Sequence, residues 1–142
     1  MAALKIDMSK AYDRIEWSFV RQMMLSLGFE DAWVNLIMMF VSSVRYMIVH
    51  DGYKIGSITP ERGLRQGDPL SPYLFILCAE GLFSILNDYA SKGLIHGCKV
   101  TRIAPIISHL FFADDCFFFF KANMLECANI RDCLKAYERA SG

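Results

Sequence analysis

The chain has 142 residues, enough for one domain or part of one, and 54% of them are hydrophobic, which is above the usual share for a soluble domain. Lysine and arginine total 15 and aspartate and glutamate total 15, so the net charge is zero and does not indicate a broadly basic nucleic-acid-binding protein. The sequence shows no signal-peptide pattern and no uninterrupted apolar run of about 18 residues, so we expect no membrane partner.

The cysteine and histidine content argues against a zinc protein. The five cysteines include no C-x-x-C pair, and there are only three histidines. Free thiols in a reducing compartment are the simpler interpretation. We therefore expect an intracellular protein, located in the nucleus or the cytoplasm.

The first elements predicted are a strand and two helices. Apolar and polar residues alternate over Leu4–Met8, which indicates a short strand. Arg14–Leu27 carries an apolar face at helical spacing, and Gly28 is a plausible stop. Asp31–Ser43 is predicted to be a second helix, and because it is apolar nearly all round we expect it to be deeply buried.

A hairpin and a loop are predicted next. Asp51 and Gly52 form a strong two-residue turn signal between strands over Arg45–His50 and Tyr53–Thr59, because such a turn needs positive φ angles. Residues 60–72 are rich in glycine and proline and are predicted to be a loop.

Two helices are predicted in the second half of the chain. One is capped by Ser71, has Pro72 in its first position and runs to about Ala90. The other begins at about Asn123, where Glu126 has the spacing of a capping box. The apolar stripe predicted for the first of these helices is Leu74, Leu77, Gly81, Ile85 and Tyr89.

Strands are predicted between these two helices. Gly93–Val100 is expected to include a short strand, and the segments Ile106–Ala113 and Cys116–Lys121 have β-rich composition. Asp114 and Asp115 lie at the turn between the last two. The pattern as a whole predicts an α+β fold in which an antiparallel sheet has helices packed mainly on one face.

The adjacent aspartates Asp114 and Asp115 lie in the most apolar stretch of the chain, residues 110–120. Neighbouring carboxylates repel each other and are costly to desolvate, and a bound divalent cation offsets both effects. An ordinary hairpin turn is the alternative, since aspartate often occupies turns. Asp7 lies near the end of the first strand and is predicted to face Asp114, where three carboxylates would hold two Mg²⁺ ions.

The loop over residues 62–72 is the other candidate for chemistry. Gly63 and Gly67 allow the backbone to approach a ligand, and Gln66 offers both a donor and an acceptor. Arg65 can pair with a phosphate. A plain glycine- and proline-rich loop that leads into a helix is the alternative, and no G-x-x-x-x-G-K phosphate-binding loop is present.

Three segments in this order resemble the motifs of reverse transcriptases, and in particular those of the non-LTR (LINE-type) retrotransposons. Residues 5–13, KIDMSKAYD, resemble the first palm motif. Residues 63–72, GLRQGDPLSP, resemble the second in the form typical of LINE-type enzymes, and residues 112–115, FADD, resemble the third. The resemblance implies the palm of a right-hand polymerase.

The implied activity is RNA-directed DNA polymerase. A deoxynucleotide (dNTP) would be added to the 3′-OH of a DNA primer on an RNA template, with pyrophosphate leaving. By resemblance, Asp7 and Asp114 are the principal metal ligands and Asp115 is the third carboxylate, holding two Mg²⁺ ions, with Mn²⁺ as a possible substitute.

The resemblance also implies a nucleotide site. Tyr12 is similar to the residue beneath the sugar of the incoming nucleotide, where a flat ring rejects a 2′-hydroxyl. Gln66 resembles the loop residue that touches the incoming nucleotide and the template. Gly67 belongs to the same loop, and Arg65 is assigned to a backbone phosphate.

The reverse transcriptases that the chain resembles carry a fingers region before these motifs and a thumb after them. Here four residues precede the first motif, so we expect a palm from a longer parent protein or the remnant of a decayed element. A palm alone orients its substrates poorly, so we expect no activity from the chain by itself. The alternatives are a non-catalytic interaction module, a two-metal nuclease, and a maturase of self-splicing introns.

Overall fold

The structure is a computed structural model that describes residues 1–8, 10–112 and 115–142. The described residues form five strands and five helices, and the two sheets are antiparallel, so the predicted α+β class is confirmed. The chain divides into two compact units. Residues 1–11 and 78–142 form what we call the strand unit, and residues 12–77 form the hairpin unit.

The strand unit contains a three-stranded sheet in the order β1-β5-β4. Its strands are β1 (Ala2–Asp7), β4 (His109–Phe112) and β5 (Asp115–Phe120), and both pairings are antiparallel. Burial alternates along β5, as expected for a sheet with one covered face. The residues on the covered face of β5 are Cys116, Phe118 and Phe120.

Helix α5 (Met124–Ser141) packs in the strand unit through an apolar stripe that includes Ile130. Its start agrees with the sequence, because the Asn123 side chain accepts a hydrogen bond from the Glu126 amide at 2.8 Å. Near its end, the hydroxyl of Tyr137 donates to the carbonyl of Cys78 at 3.2 Å.

The strand predicted within Gly93–Val100 is absent from the described residues and is replaced by an isolated bridge between Cys98 and Ile107. Gly93 has a φ of 69° and follows the end of a helix. A Cβ on Gly97 would lie 2.4 Å from the Ile107 carbonyl oxygen. Gly97 therefore permits a close backbone approach at one point, where a single bridge forms instead of a regular ladder.

The hairpin unit contains the second sheet and the helices that precede that sheet in the chain. The helix predicted over Arg14–Leu27 forms but begins later, at Trp17, and a separate short helix ends at Arg14 before it. Gly28, with a φ of 88°, ends the helix that begins at Trp17, and the amide of Phe29 donates to Met24 in a Schellman motif. The elements are α1 (Ala11–Arg14), α2 (Trp17–Ser26), α3 (Asp31–Ser42), β2 (Tyr46–His50) and β3 (Tyr53–Ile58).

The predicted hairpin is confirmed. Asp51 has a φ of 47° and Gly52 a φ of 80°, so both turn residues have the positive angles that the sequence required. Every residue of β2 and β3 is exposed within the described part of the chain.

The expectation that the second predicted helix is deeply buried was wrong. Helix α3 forms over nearly the predicted range, but its only buried residues are Val34 and Ile37. Trp33 is 51% exposed and Phe40 is 54% exposed. An apolar sequence shows that a helix has apolar faces, but the number of neighbouring elements decides how many of those faces are covered.

Helix α4 (Ser71–Ser91) agrees with its predicted bounds to within one residue at each end. It is long and apolar enough to cross a membrane by length and composition alone. Its apolar character also matches a core helix, since a stripe of it is buried. That stripe is shifted from the predicted one and consists of Leu74, Phe75, Cys78, Leu82 and Leu86.

Candidate functional site

The first site is the edge of the strand unit's sheet where β1 ends and β5 begins. Asp7 and Asp115 are direct partners in the antiparallel pairing of these strands. Residues directly opposite each other point to the same face and have Cβ atoms about 4.5–5.5 Å apart. Asp114, which was predicted to face Asp7, lies outside the described residues. The structure therefore brings together two of the three predicted carboxylates.

Lys5 adds a positive charge to this pair. It lies two residues before Asp7 on β1 and so points to the same face of the sheet. Its Nζ atom is 2.8 Å from Oδ2 of Asp115 and 5.7 Å from the centre of the Phe117 ring. The side chains of Lys5 and Asp115 are 55% and 31% exposed, so this ion pair is partly screened by solvent.

The side chains at this edge are of the type that binds a divalent cation. Carboxylate oxygens are the ligands that Mg²⁺ prefers, and two opposed carboxylates need a cation to offset their repulsion. Among the described residues no group of three histidine, cysteine, aspartate or glutamate side chains could hold a metal. Asp114, the third predicted carboxylate, lies outside the described residues.

The second site lies in the hairpin unit and begins with Tyr12. This residue is half-buried in α1, and its ring stacks on that of Phe75, with centroids 4.7 Å apart and an angle of 16° between the rings. Phe75 is itself only 3% exposed, so it is a fixed support. The stack limits the movement of the Tyr12 ring.

The backbone of α1 and of the residue that follows it also holds the start of the predicted second motif. The Gly63 amide donates to the Ile15 carbonyl at 2.8 Å, and the Leu64 amide donates to the Tyr12 carbonyl at 2.7 Å. The Trp17 indole Nε1 donates to the Gly63 carbonyl at 2.8 Å. One backbone hydrogen bond, from Leu64 to Tyr12, therefore joins the first two motifs within the hairpin unit.

The remaining predicted nucleotide-site residues come directly after Leu64 in the chain. Arg65, Gln66 and Gly67 are all exposed, and Gly67 has a φ of 85°. The Asp68 carboxylate accepts from the Leu70 amide at 2.8 Å, which shapes the turn into α4. The turn in this loop is thus fixed by a hydrogen bond, while the side chains of Arg65 and Gln66 and the backbone of Gly67 are accessible to solvent.

Glu126 is a buried carboxylate in the strand unit. Its oxygens accept from the backbone amides of His96 at 3.0 Å and Lys121 at 2.9 Å, and one lies 3.0 Å from Nδ1 of His96. Burial on its own would raise the pKa of this carboxyl, but these hydrogen bonds together lower the pKa below its usual value. Glu126 therefore has a structural role at the end of β5.

Comparison with known proteins identifies the family. The model of the family described as reverse transcriptase (RNA-dependent DNA polymerase) matches residues 2–142. The chain belongs to this family. It is 30% identical over 113 residues to a retrovirus-related Pol polyprotein from the type-1 retrotransposable element R2 of Popillia japonica. That alignment covers 79% of the chain. It is 29% identical over 119 residues to the Pol polyprotein from the type-2 element R2DM of Drosophila melanogaster, which covers 84% of the chain.

An uncharacterized mitochondrial protein of Arabidopsis thaliana is 49% identical over 69 residues, which is 49% of this reverse transcriptase chain and 57% of that protein. The alignments cover 18% and 10% of the two R2 proteins, so the chain spans a small part of these relatives. The predicted resemblance to non-LTR reverse transcriptases is confirmed.

Sequence reasoning missed two residues of the two candidate sites. Lys5 was treated as the polar partner in an alternating strand, although its spacing from Asp7 already placed both on one face. Phe75 was not recognised as the support of Tyr12, because no local pattern links residues that far apart. Their contacts depend on the fold.

Proposed function

We propose that the chain provides the palm of an RNA-directed DNA polymerase of a non-LTR retrotransposon. In this role it adds a dNTP to a DNA primer on an RNA template, and Asp7, Asp114 and Asp115 hold two Mg²⁺ ions. The observation that carries the proposal is the direct pairing of Asp7 with Asp115 at one sheet edge. Membership of the reverse transcriptase family supports it.

The described residues have distinct tasks in this proposal. Asp7 and Asp115 supply anionic oxygens from paired strands, and the buried alternate residues of β5 fix the backbone beneath them. When bound, Mg²⁺ offsets the negative charge that develops in nucleotidyl transfer. Tyr12, held by Phe75, excludes a 2′-hydroxyl, while Arg65 binds phosphate.

The loop residues Gln66 and Gly67 complete the proposed nucleotide contacts through a side-chain amide and a backbone that is free of side-chain bulk. The alignments span only 18% and 10% of the R2 proteins. We therefore assign processive synthesis to this chain together with fingers and thumb segments, inside the cell. By itself the chain is expected to orient primer and nucleotide too poorly for sustained extension.

Metal-dependent stability tests the carboxylate pair. We expect Mn²⁺ at about ten times its Kd to stabilise the chain by about 1.4 kcal/mol and to raise Tm by roughly 4 °C. Asp7→Asn and Asp115→Asn should each remove most of this rise, since both replace a ligand. Asp132→Asn makes the same change at an exposed position in α5 and should leave the rise intact. A rise that survives both ligand substitutions would refute the metal role.

A primer-extension assay with an RNA template tests the reaction in a longer protein that joins this chain to fingers and thumb segments, since the chain by itself is expected to be inactive. Extension that needs dNTPs and Mg²⁺, and that is lost in Asp115→Asn, would support a polymerase. Shortening of the strands without dNTPs would instead identify a two-metal nuclease. If neither change is seen and Mn²⁺ gives no stabilisation, the chain is a non-catalytic interaction module and the proposal fails.

A further inference from the structure

The edge that carries Asp7 and Asp115 already contains its own cation. Lys5 is opposite Phe117 in the pairing of β1 and β5, and Asp7 is opposite Asp115. The Lys5 ammonium extends diagonally across this pairing to lie 2.8 Å from Oδ2 of Asp115. The Phe117 ring lies beside it, with its centre 5.7 Å from Nζ. A positive charge thus contacts one of the two opposed carboxylates directly.

Like charges that face each other across a strand pair are destabilising, so Lys5 offsets part of the repulsion between Asp7 and Asp115. A divalent cation on the same carboxylates offsets the same repulsion. The two cations repel each other, and both cannot occupy Oδ2 of Asp115 at contact distance without a cost. Binding of a metal to Asp115 therefore competes with the Lys5 ion pair.

We propose that Lys5 is a built-in counter-ion of the carboxylate pair, which stabilises the pair without metal and lowers its affinity for a divalent cation. This inference rests on the proposed function, because it takes Asp7 and Asp115 as metal ligands. The Lys5 and Asp115 side chains are 55% and 31% exposed, so the competition is moderate. We expect a two- to fivefold effect on Kd, about the size that partly exposed ion pairs produce.

Titration of the whole chain with Mn²⁺, with the free ion counted by electron paramagnetic resonance, measures this effect without requiring activity. Lys5→Met keeps most of the apolar stem and removes the charge, and Lys5→Gln is a second neutral variant in case the first does not fold. Lys5→Arg retains the charge. We expect a Kd about two- to fivefold lower in the neutral variants and near the original in Lys5→Arg. The difference should shrink as salt is raised, because salt screens an exposed pair.

The other outcomes separate this inference from the proposed function. Equal Kd values in the original chain and Lys5→Met, with binding abolished by Asp115→Asn, would overturn the role of Lys5 and leave the metal site standing. Weaker binding in Lys5→Met would also overturn it, because Lys5 would then assist the metal. An absence of saturable binding in all variants would overturn both, as would binding in Lys5→Met that is unaffected by Asp115→Asn.

Discussion

The indole Nε1 of Trp17 donates a hydrogen bond to the carbonyl oxygen of Gly63 at 2.8 Å, although the two residues are 46 positions apart. Gly63 has a φ of 87°, and a Cβ at this position would lie 2.8 Å from the backbone oxygen of Asp13. The start of the GLRQGDPLSP segment is therefore held against α1 and the first residue of α2. Only glycine meets both requirements, the positive φ and the close approach.

Gly63→Ala is expected to destabilise the chain by about 2–4 kcal/mol, because it adds a backbone clash to the strain of a positive φ. Gly67→Ala is a matched control in the same loop, with a φ of 85° but no atom within 4 Å of an added Cβ. It should cost only about 1–2 kcal/mol. Chemical denaturation measures both values, and equal costs would contradict the packing argument.

Glu126 is expected to make stability depend on acidity. Its pKa in the folded chain is lowered from the usual value of 4.5, so the carboxylate is stabilising above that pH and the contribution is lost as pH falls through the lowered pKa. Glu126→Gln removes the negative charge of the group that accepts hydrogen bonds from the backbone amides of His96 and Lys121. It should cost about 1.5–3 kcal/mol near neutral pH.

Denaturation as a function of pH measures this effect. The stability difference between the original chain and Glu126→Gln should be constant near neutral pH and should shrink below about pH 4.5. Glu138→Gln, at an exposed position of the same helix, should change stability by less than about 0.5 kcal/mol. A difference that does not vary with pH would show that the Glu126 charge is unimportant.

The two sides of α3 should respond differently to a charge. Val34 is fully buried, so Val34→Glu is expected to cost several kcal/mol and to unfold much of the chain. Phe40 is 54% exposed, so Phe40→Glu should leave stability nearly unchanged and reduce self-association through the apolar surface. Circular dichroism melts and light scattering measure the two effects. If Phe40→Glu unfolds the chain, this side of α3 is covered.

The cysteines should differ in reactivity. The thiolate is the reactive form, and burial raises the pKa of Cys78 to about 12 and, as the main cause, that of Cys133 to about 11. Cys127 is exposed. Alkylation followed by mass spectrometry should therefore label Cys127 first in the native chain, and Cys78 and Cys133 only after denaturant is added. Rapid labelling of Cys78 would contradict its buried position.

Local signals predicted the parts of the fold that depend on few residues. The Asp51-Gly52 turn and the Asn123 cap were correct, since positive φ angles and capping side chains act within a few positions. The burial of α3 was wrong, because exposure of Trp33 depends on which elements pack nearby, and hydrophobicity alone does not specify them. Gly97 was part of a predicted strand, but its contact with Ile107 is a long-range approach.

In the candidate site, too, the sequence predicted some features and the structure was needed for others. Asp7 and Asp115 were selected by their motifs, and the antiparallel register brought them together. The contacts of Lys5 with Asp115 and of Phe75 with Tyr12 required coordinates, because each joins residues that are far apart in the chain. The metal-binding roles of Asp7 and Asp115 and the nucleotide-site roles of Tyr12, Arg65, Gln66 and Gly67 stay predictions. So does that of Asp114, which lies outside the described residues.

The most direct test of the metal site is to locate a bound ion by nuclear magnetic resonance. Mn²⁺ broadens the signals of amides close to it, so a substoichiometric amount reveals where the ion binds. We predict the strongest broadening at the amides of Asp7 and Asp115, with that broadening lost in Asp7→Asn. Broadening centred on other acidic residues, or none at saturating Mn²⁺, would contradict the assignment of this sheet edge as a metal site.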